Sequence, residues 1–183
     1  MSGESGKRAK GGGAERIGSR ARRGTTSTPA QVGILFGSES DRDVMSEAAR
    51  VLGKFGIPCE MNVLSAHRTP DEARDYARSA REKGIQVLIC GAGMAAHLAG
   101  AVAASTTLPV LGVPLSAGTL GGLDALLSTV QMPAGVPVGT LGIGAAGARN
   151  AALLAAQILA LANPGLRRKL DTHKREMARG AKL

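Results

Sequence analysis

The feature that most constrains the fold of this chain is a pattern that recurs five times after residue 31: a short apolar run, a few small residues, and a stretch with helical character. The runs are 32–36, 59–64, 86–90, 109–113 and 138–143, and the helical stretches are 41–55, 70–83, 94–105, 119–130 and 147–162. Most runs are apolar throughout, which is typical of parallel strands that helices cover on both faces. The pattern therefore predicts an α/β fold, a three-layer α/β/α sandwich with a parallel sheet and right-handed crossovers.

The charge of the chain divides it into three segments. The 183 residues carry a formal net charge of +9, but residues 31–163 hold nine basic and ten acidic side chains, so the excess lies at the two ends. We predict a disordered basic tail at 1–30, a folded α/β domain at 31–163 and a basic C-terminal helix or tail at 164–183. The simplest interpretation of residues 1–30 is a solvated tail. Two alternatives are that the segment contacts nucleic-acid phosphates unspecifically, or that it is a transit peptide.

Composition argues against several functional classes. Aromatic residues make up 2% of the chain, which disfavours a single-strand nucleic-acid reader built on stacking. Cys59 and Cys90 are too few for a disulfide framework and fit a reduced, cytoplasmic setting. His67, His97 and His173 are too scattered to indicate a zinc site, and no apolar run has the length of a membrane span. We therefore expect no metal, no membrane association and no nucleic-acid partner.

Two helix boundaries carry clear signals. Thr69 is predicted to be the N-cap of the second helix, with Pro70 at its first position and Glu72 closing a capping box. Asn163 and Pro164 are predicted to stop the long alanine-rich helix before the basic C-terminal segment.

Candidate site residues follow the first predicted strand. Ligands of parallel sheets bind beyond the carboxyl ends of the strands, so the loops there are the places to examine. The loop at 37–41 brings the hydroxyls of Ser38 and Ser40 and free backbone N–H groups to a helix N-terminus, which suits an anion. Ordinary capping by Ser40 or Asp41 is the simpler interpretation, but capping does not need both serines.

The loop after the second predicted strand holds Ser65, His67 and Arg68 in front of a strongly signalled helix. Histidine exchanges protons near neutral pH, and arginine grips phosphate with paired donors. The combination favours a functional His67 beside an anion-binding Arg68, with an inert surface histidine as the alternative.

The loop after the third strand is rich in glycine and alanine. Gly91 and Gly93 belong to a relaxed dinucleotide-binding pattern, but no acidic residue follows at the end of a later strand, so we reject NAD binding. The small residues instead permit a close approach of ligand or helix. His97 is either a helix-packing residue or part of the site, and Cys90 is predicted to be a buried structural thiol rather than a reactive one.

Taken together, these loops resemble one family. The motifs that carry the resemblance are Gly37-Ser38-x-Ser40-Asp41, Ser65-Ala66-His67-Arg68-Thr69-Pro70, Gly91-Ala92-Gly93, Leu111-Gly112-Val113-Pro114 and Gln131-Met132-Pro133-x-Gly135-Val136-Pro137-Val138-Gly139-Thr140. In this order, over about residues 31–162, the chain resembles N5-carboxyaminoimidazole ribonucleotide mutase, the catalytic subunit of phosphoribosylaminoimidazole carboxylase in purine biosynthesis.

The resemblance implies a flavodoxin-like fold, an octamer, no metal or organic cofactor, and a separate ATP-dependent carboxyaminoimidazole ribonucleotide synthase upstream. The implied reaction is an isomerisation that moves a carboxylate from the exocyclic nitrogen to ring carbon 4 of an aminoimidazole ribonucleotide. His67 is implied to be the general acid and base, and the implied substrate-binding residues are Ser38, Ser40, Asp41, Ser65, Arg68, Gly91 and Gly93. Met94 stands where the family usually has glycine, so its side chain either narrows the pocket or points into the helix layer.

Alternative functions remain open. The same fold also carboxylates aminoimidazole ribonucleotide directly with free carbon dioxide, but that branch typically has lysine after the histidine, so Arg68 favours the mutase. A non-enzymatic flavodoxin-like module that binds a nucleotide or flavin is disfavoured because the chain has few aromatic residues. Nucleic-acid binding through the basic tails is disfavoured because residues 31–163 are nearly neutral. The helix predicted at 147–162 is apolar on nearly every side, which indicates packing against another subunit as well as its own sheet.

Overall fold

The computed structural model describes residues 29–181. The tail predicted at 1–30 therefore lies outside the described residues except for its last two positions. The strands are β1 (Val32–Phe36), β2 (Cys59–Val63), β3 (Val87–Gly93), β4 (Val110–Leu115) and β5 (Gly139–Thr140). The helices are α1 (Arg42–Phe55), α2 (Pro70–Ser79), α3 (Leu98–Ala103), α4 (Leu123–Val130), α5 (Gly144–Ala160) and α6 (Pro164–Ala178), and a short 3₁₀ turn, Glu39–Asp41, precedes α1.

The five strands form one parallel sheet in the order β2-β1-β3-β4-β5. Val32 of β1 pairs with Cys59 on one side and with Val87 on the other. The chain thus leaves β1 in one direction and returns to its other side with β3, which places a topological switch point between these two strands. The predicted α/β fold with a parallel flavodoxin-like sheet is confirmed.

Helices cover both faces of the sheet. On one face Ile34, Phe36 and Ile89 are fully buried under α1 and α5. On the other face Leu35 and Leu88 are fully buried under α2 and α3, and α4 extends this layer over β4. The central strands β1, β3 and β4 are apolar because helices cover both of their faces. The edge strand β2 is less buried and carries the polar residues Glu60 and Asn62.

The end of β3 and the starts of α3 and α4 differ from the predicted boundaries. β3 continues to Gly93, beyond the predicted end at residue 90, because Gly91 pairs with Val113 and Gly93 with Leu115 of β4. Since the chain is still extended there, α3 begins only at Leu98. The loop before α4 delays that helix in a similar way: it contains glycines with positive φ at 118, 121 and 122, a conformation incompatible with a helix.

The predicted cap of α2 is wrong in its chemistry. Pro70 does open the helix, but the Thr69 side chain makes no capping hydrogen bond. Its hydroxyl instead accepts from the Ser65 backbone N–H at 3.0 Å and donates to the Ser65 carbonyl at 3.2 Å, so it closes the preceding loop. The Asn163 prediction is confirmed: α5 ends before it, and its side-chain oxygen accepts from the Leu166 N–H at 3.0 Å to start α6.

The C-terminal basic segment forms α6 up to Ala178 and packs on α5 and α1. Leu166 is buried, and the Lys169 ammonium donates to the Phe55 carbonyl at the end of α1 at 2.8 Å. α6 therefore covers part of the apolar surface of α5, although Leu161 just beyond α5 is 80% exposed. Among the described residues no helix is long and apolar enough to cross a membrane.

Candidate active site

The loops that follow β1, β2 and β3 meet at the switch point and enclose an open cavity of about 380 Å³. The predicted site residues that line it are Ser38, Ser40, Asp41, Ser65, His67, Arg68 and Gly93. Gly91 does not line it. The space where a Gly91 side chain would start is taken by the Met45 sulfur, 2.3 Å away from the ideal Cβ position, so Gly91 lets α1 approach the sheet beneath the cavity.

The β1 loop presents hydroxyls and N–H groups to the cavity. The Ser38 hydroxyl oxygen accepts from the Ser40 hydroxyl at 2.9 Å and from the Ser40 N–H at 3.4 Å, so Ser38 rather than Ser40 or Asp41 supplies the side-chain cap of the helical turn. Asp41 occupies the N-cap of α1 without a side-chain capping bond. Partial burial raises the pKa of the Asp41 carboxyl. A hydrogen bond with the Ser38 backbone and the positive charge of Arg68 both act to lower it.

Arg68 joins the first two loops. Its guanidinium donates to the Gly37 carbonyl, and its own backbone N–H donates to the Ser65 hydroxyl at 3.2 Å. The side chain therefore lies across the end of β1, next to Ser38 and Asp41. One guanidinium, two serine hydroxyls and the N-terminal end of a helix make this side of the cavity suited to an anion such as a phosphate.

His67 faces a second histidine. Its Nε2 lies 2.6 Å from Nδ1 of His97, and the two rings meet edge to face at an angle of 88°. Such a hydrogen bond needs a proton on one nitrogen and a lone pair on the other, so the pair shares one proton across the contact. Of the two interpretations left open for His97, the structure supports membership of the site.

The loops after β3 and β4 close the apolar side of the cavity. Gly93 lies so close to the β4 loop that a Cβ there would be 2.7 Å from the Ala117 side chain. Met94 has a φ of 55°, the only positive φ of a non-glycine residue between residues 29 and 181. Its side chain lines the cavity rather than pointing into the helix layer.

The two cysteines do not line this cavity. Cys90 is buried, and burial raises the pKa of its thiol, as expected of a structural cysteine. Burial also raises the pKa of Cys59. Within residues 29–181 no group of three or more His, Cys, Asp and Glu residues is arranged to hold a metal ion.

Two contributions to the cavity were missed by sequence reasoning. Ala117 comes from the β4 loop, and the Gly37 carbonyl anchors Arg68; neither has a side-chain signal. The sequence did contain a signal for His97, because this residue lies four positions beyond the end of β3, at the same edge of the sheet as His67.

A parallel sheet with a hydrogen-bonded histidine pair in the cavity at its switch point, beside groups suited to an anion, is typical of α/β enzymes. A family model described as AIR carboxylase matches residues 31–180, and the chain belongs to this family. The resemblance stated from the loops is thereby confirmed.

Individual relatives cover most of the chain. It is 55% identical over 155 residues to the N5-carboxyaminoimidazole ribonucleotide mutase of Mycobacterium tuberculosis, covering 82% of this chain and 88% of that one. It is 57% identical over 143 residues to the protein of the same name from Bacillus subtilis, covering 78% of this chain and 88% of that one. Among solved structures, Treponema denticola PurE superimposes with a TM-score of 0.74 at 26% identity, covering 81% of this chain and 92% of that one. At these identities the chain is an enzyme of the isomerase type.

Proposed function

We propose that this chain moves a carboxylate from the exocyclic nitrogen to ring carbon 4 of N5-carboxyaminoimidazole ribonucleotide, in purine biosynthesis. The observation that carries the proposal is the contact of His67 with His97 in a cavity whose other side is built for an anion. Supporting it are the names of relatives more than half identical to this chain.

Substrate orientation follows from the two sides of the cavity. The ribose phosphate takes the side formed by the β1 loop and Arg68, where charge-assisted hydrogen bonds from guanidinium and N–H groups hold it. Ser38, Ser40, Asp41 and Ser65 complete this side. The aminoimidazole ring then extends toward His67, with the carboxylated nitrogen and ring carbon 4 within its reach.

His67 serves as the acid in the first step. The substrate carboxylate is part of a carbamate, and protonation of the carbamate nitrogen by His67 lets the nitrogen–carbon bond break to give an amine and carbon dioxide. The amine makes the ring electron-rich, so ring carbon 4 attacks the carbon dioxide and a carbon–carbon bond forms.

His67 then serves as the base. The proton on ring carbon 4 returns to His67, the ring regains its aromaticity, and the enzyme is restored without net gain or loss of atoms. One histidine suffices because the proton it gives is matched by the proton it takes. His97 hydrogen-bonds the His67 ring and so keeps it oriented through both steps.

The substrate supplies its own carboxylate, so the proposed reaction needs no metal or organic cofactor. A separate ATP-dependent enzyme, a carboxyaminoimidazole ribonucleotide synthase, would have to make the labile carbamate upstream. We place the enzyme in the cytoplasm, in keeping with its free cysteines, and expect no nucleic-acid partner for its neutral body.

We further propose that the chain forms an octamer. Large apolar side chains remain exposed just before α4, along its length and after α5, and they need a covering surface: Leu120, Leu123, Leu127, Val130 and Leu161. Light scattering tests this. A chain that begins at Thr26 should remain a large oligomer and keep its activity, whereas an active, stable monomer at micromolar concentration would contradict it.

The experiment that tests the proposed reaction is an assay of the purified chain with the N-carboxylated ribonucleotide as its only substrate. We expect the carbon-carboxylated product to form without ATP. No product from wild-type enzyme that is folded by circular dichroism would overturn the proposal.

A further inference from the structure

Met94 adopts a backbone conformation that its side chain makes costly. Its φ of 55° lies in the left-handed region, which glycine enters freely and residues with a Cβ do not. Packing within the chain does not compensate for that cost, because Met94 is 59% exposed. Strain of this kind that the fold does not repay points to a role in function.

The position of the side chain suggests what that role is. Met94 lines the cavity together with both histidines. Its Cγ lies 3.7 Å from the place where a Cβ on Gly118 would start, so the side chain reaches from the β3 loop to the β4 loop. It therefore spans the gap between these two loops beside the cavity.

The chemistry of the side chain fits an apolar cover. A thioether is flexible and polarisable, and its sulfur is a weak hydrogen-bond acceptor, so it excludes water without competing for the proton of His67. Carbon dioxide is itself apolar and has no group by which hydrogen-bond donors could hold it firmly. Walls that close around it are the means of keeping it next to ring carbon 4.

We propose that the Met94 side chain is a cover that keeps the released carbon dioxide from exchanging with the solvent. The inference rests on the proposed function, since it concerns the carbon dioxide that the reaction releases and recaptures. It assigns to this side chain a retention of carbon dioxide beyond what the glycine usual at this position in the family would give.

The test uses substrate labelled with ¹³C in the carboxylate, in buffer that contains unlabelled bicarbonate and carbonic anhydrase. Mass spectrometry of the product at early turnover gives the fraction of label retained, after subtraction of the exchange found without enzyme. Wild-type enzyme should retain most of the label. Met94→Gly should exchange label at least threefold more, and Met94→Leu, which restores an apolar side chain, should return retention toward the wild-type level.

The outcomes separate this inference from the function on which it rests. Met94→Gly removes a side chain from a left-handed position, so its thermal midpoint should not fall below that of wild type, and loss of the fold does not confuse the result. Equal label retention in wild type and Met94→Gly would overturn the role of Met94 while leaving the mutase reaction intact. Full exchange already in wild type would also overturn it. A wild-type enzyme that makes no product would instead remove the proposed function, and the inference with it.

Discussion

His67 and His97 are 30 residues apart in the sequence, yet Nε2 of the first lies 2.6 Å from Nδ1 of the second. The contact arises because β2 and β3 flank the same strand, so the loops that follow them meet over its end. His67 comes from the loop after β2 and His97 from the residue before α3. The pair places a hydrogen bond between two imidazole rings beside groups suited to an anion, and the proposed acid–base chemistry depends on this arrangement.

Replacing His67 removes the group that gives and takes the proton. We expect His67→Asn to lower kcat by about 10²–10⁴-fold or more, with little change in substrate affinity or in the fold. Steady-state kinetics and a substrate-binding measurement on the same preparation check this. His173→Gln is a matched control, since His173 lies on α6 against Phe55, away from the cavity. Near-normal turnover by folded His67→Asn would refute the assignment.

Replacing His97 leaves the His67 ring without its partner. A hydrogen bond of this kind is worth about 1 kcal/mol, so His97→Ala should lower kcat by roughly fivefold and change KM little. His97→Gln retains a group that accepts or donates at a similar distance, and it should recover part of the loss. If both His97→Gln and His97→Ala are as active as wild type, the contact between His67 and His97 has no role in turnover.

Arg68 is expected to act on binding more than on chemistry. Arg68→Ala removes a charged donor from the phosphate side, which costs about 1.5–3 kcal/mol and raises KM by roughly ten- to a hundredfold. The deciding comparison is between the ribonucleotide and the same substrate without its phosphate. Arg74→Ala, on exposed α2, is the matched control. An equal loss with both substrates would show that Arg68 does not bind the phosphate.

Glu47 links α1 to α5 away from the cavity. Its carboxylate accepts from Arg50 at 2.7 Å and from Arg149 at 2.6 Å, and these guanidinium groups lower its pKa from 4.5 to about 2. A carboxyl whose pKa is lower in the folded state stabilises the fold above its ordinary pKa, and that contribution is lost as the pH falls through the folded value.

We therefore expect Glu47→Gln to lower the thermal midpoint at pH 7 and to leave activity unchanged. The difference from wild type should narrow as the pH falls from 4.5 toward 2. Calorimetry over that range checks it, with Glu82→Gln, an exposed position after α2, as the control. A difference that does not depend on pH would assign the effect to packing rather than to charge.

The sequence predicted the fold well where local pattern decides the structure. The apolar run 32–36 coincides with β1, and Asn163 starts α6 as expected. It failed at the end of β3, which depends on pairing with β4, a partner that becomes a neighbour only after the chain has folded. It also failed at Thr69, whose hydroxyl hydrogen-bonds the backbone of Ser65, four residues earlier, in place of capping α2.

The same division applies to the site. The residue types in the 37–41 and 65–68 loops predicted an anion site and a histidine without knowledge of the fold. The contact of His67 with His97 could not be predicted, because it depends on the order of the strands. The role of Gly91 could not be predicted either, because its neighbour Met45 is known only once α1 is packed on the sheet.

An assay with two substrates, each offered to the enzyme separately, distinguishes a mutase from a direct carboxylase. One is N5-carboxyaminoimidazole ribonucleotide in buffer depleted of carbon dioxide, and the other is aminoimidazole ribonucleotide with bicarbonate. Formation of the carbon-carboxylated product is followed with chelator present and ATP absent. We expect rapid conversion of the first substrate and a much slower reaction of the second at physiological bicarbonate. Product formed efficiently from the second substrate, with the first converted only as fast as it decomposes to the second, would contradict the proposed function and establish a direct carboxylase.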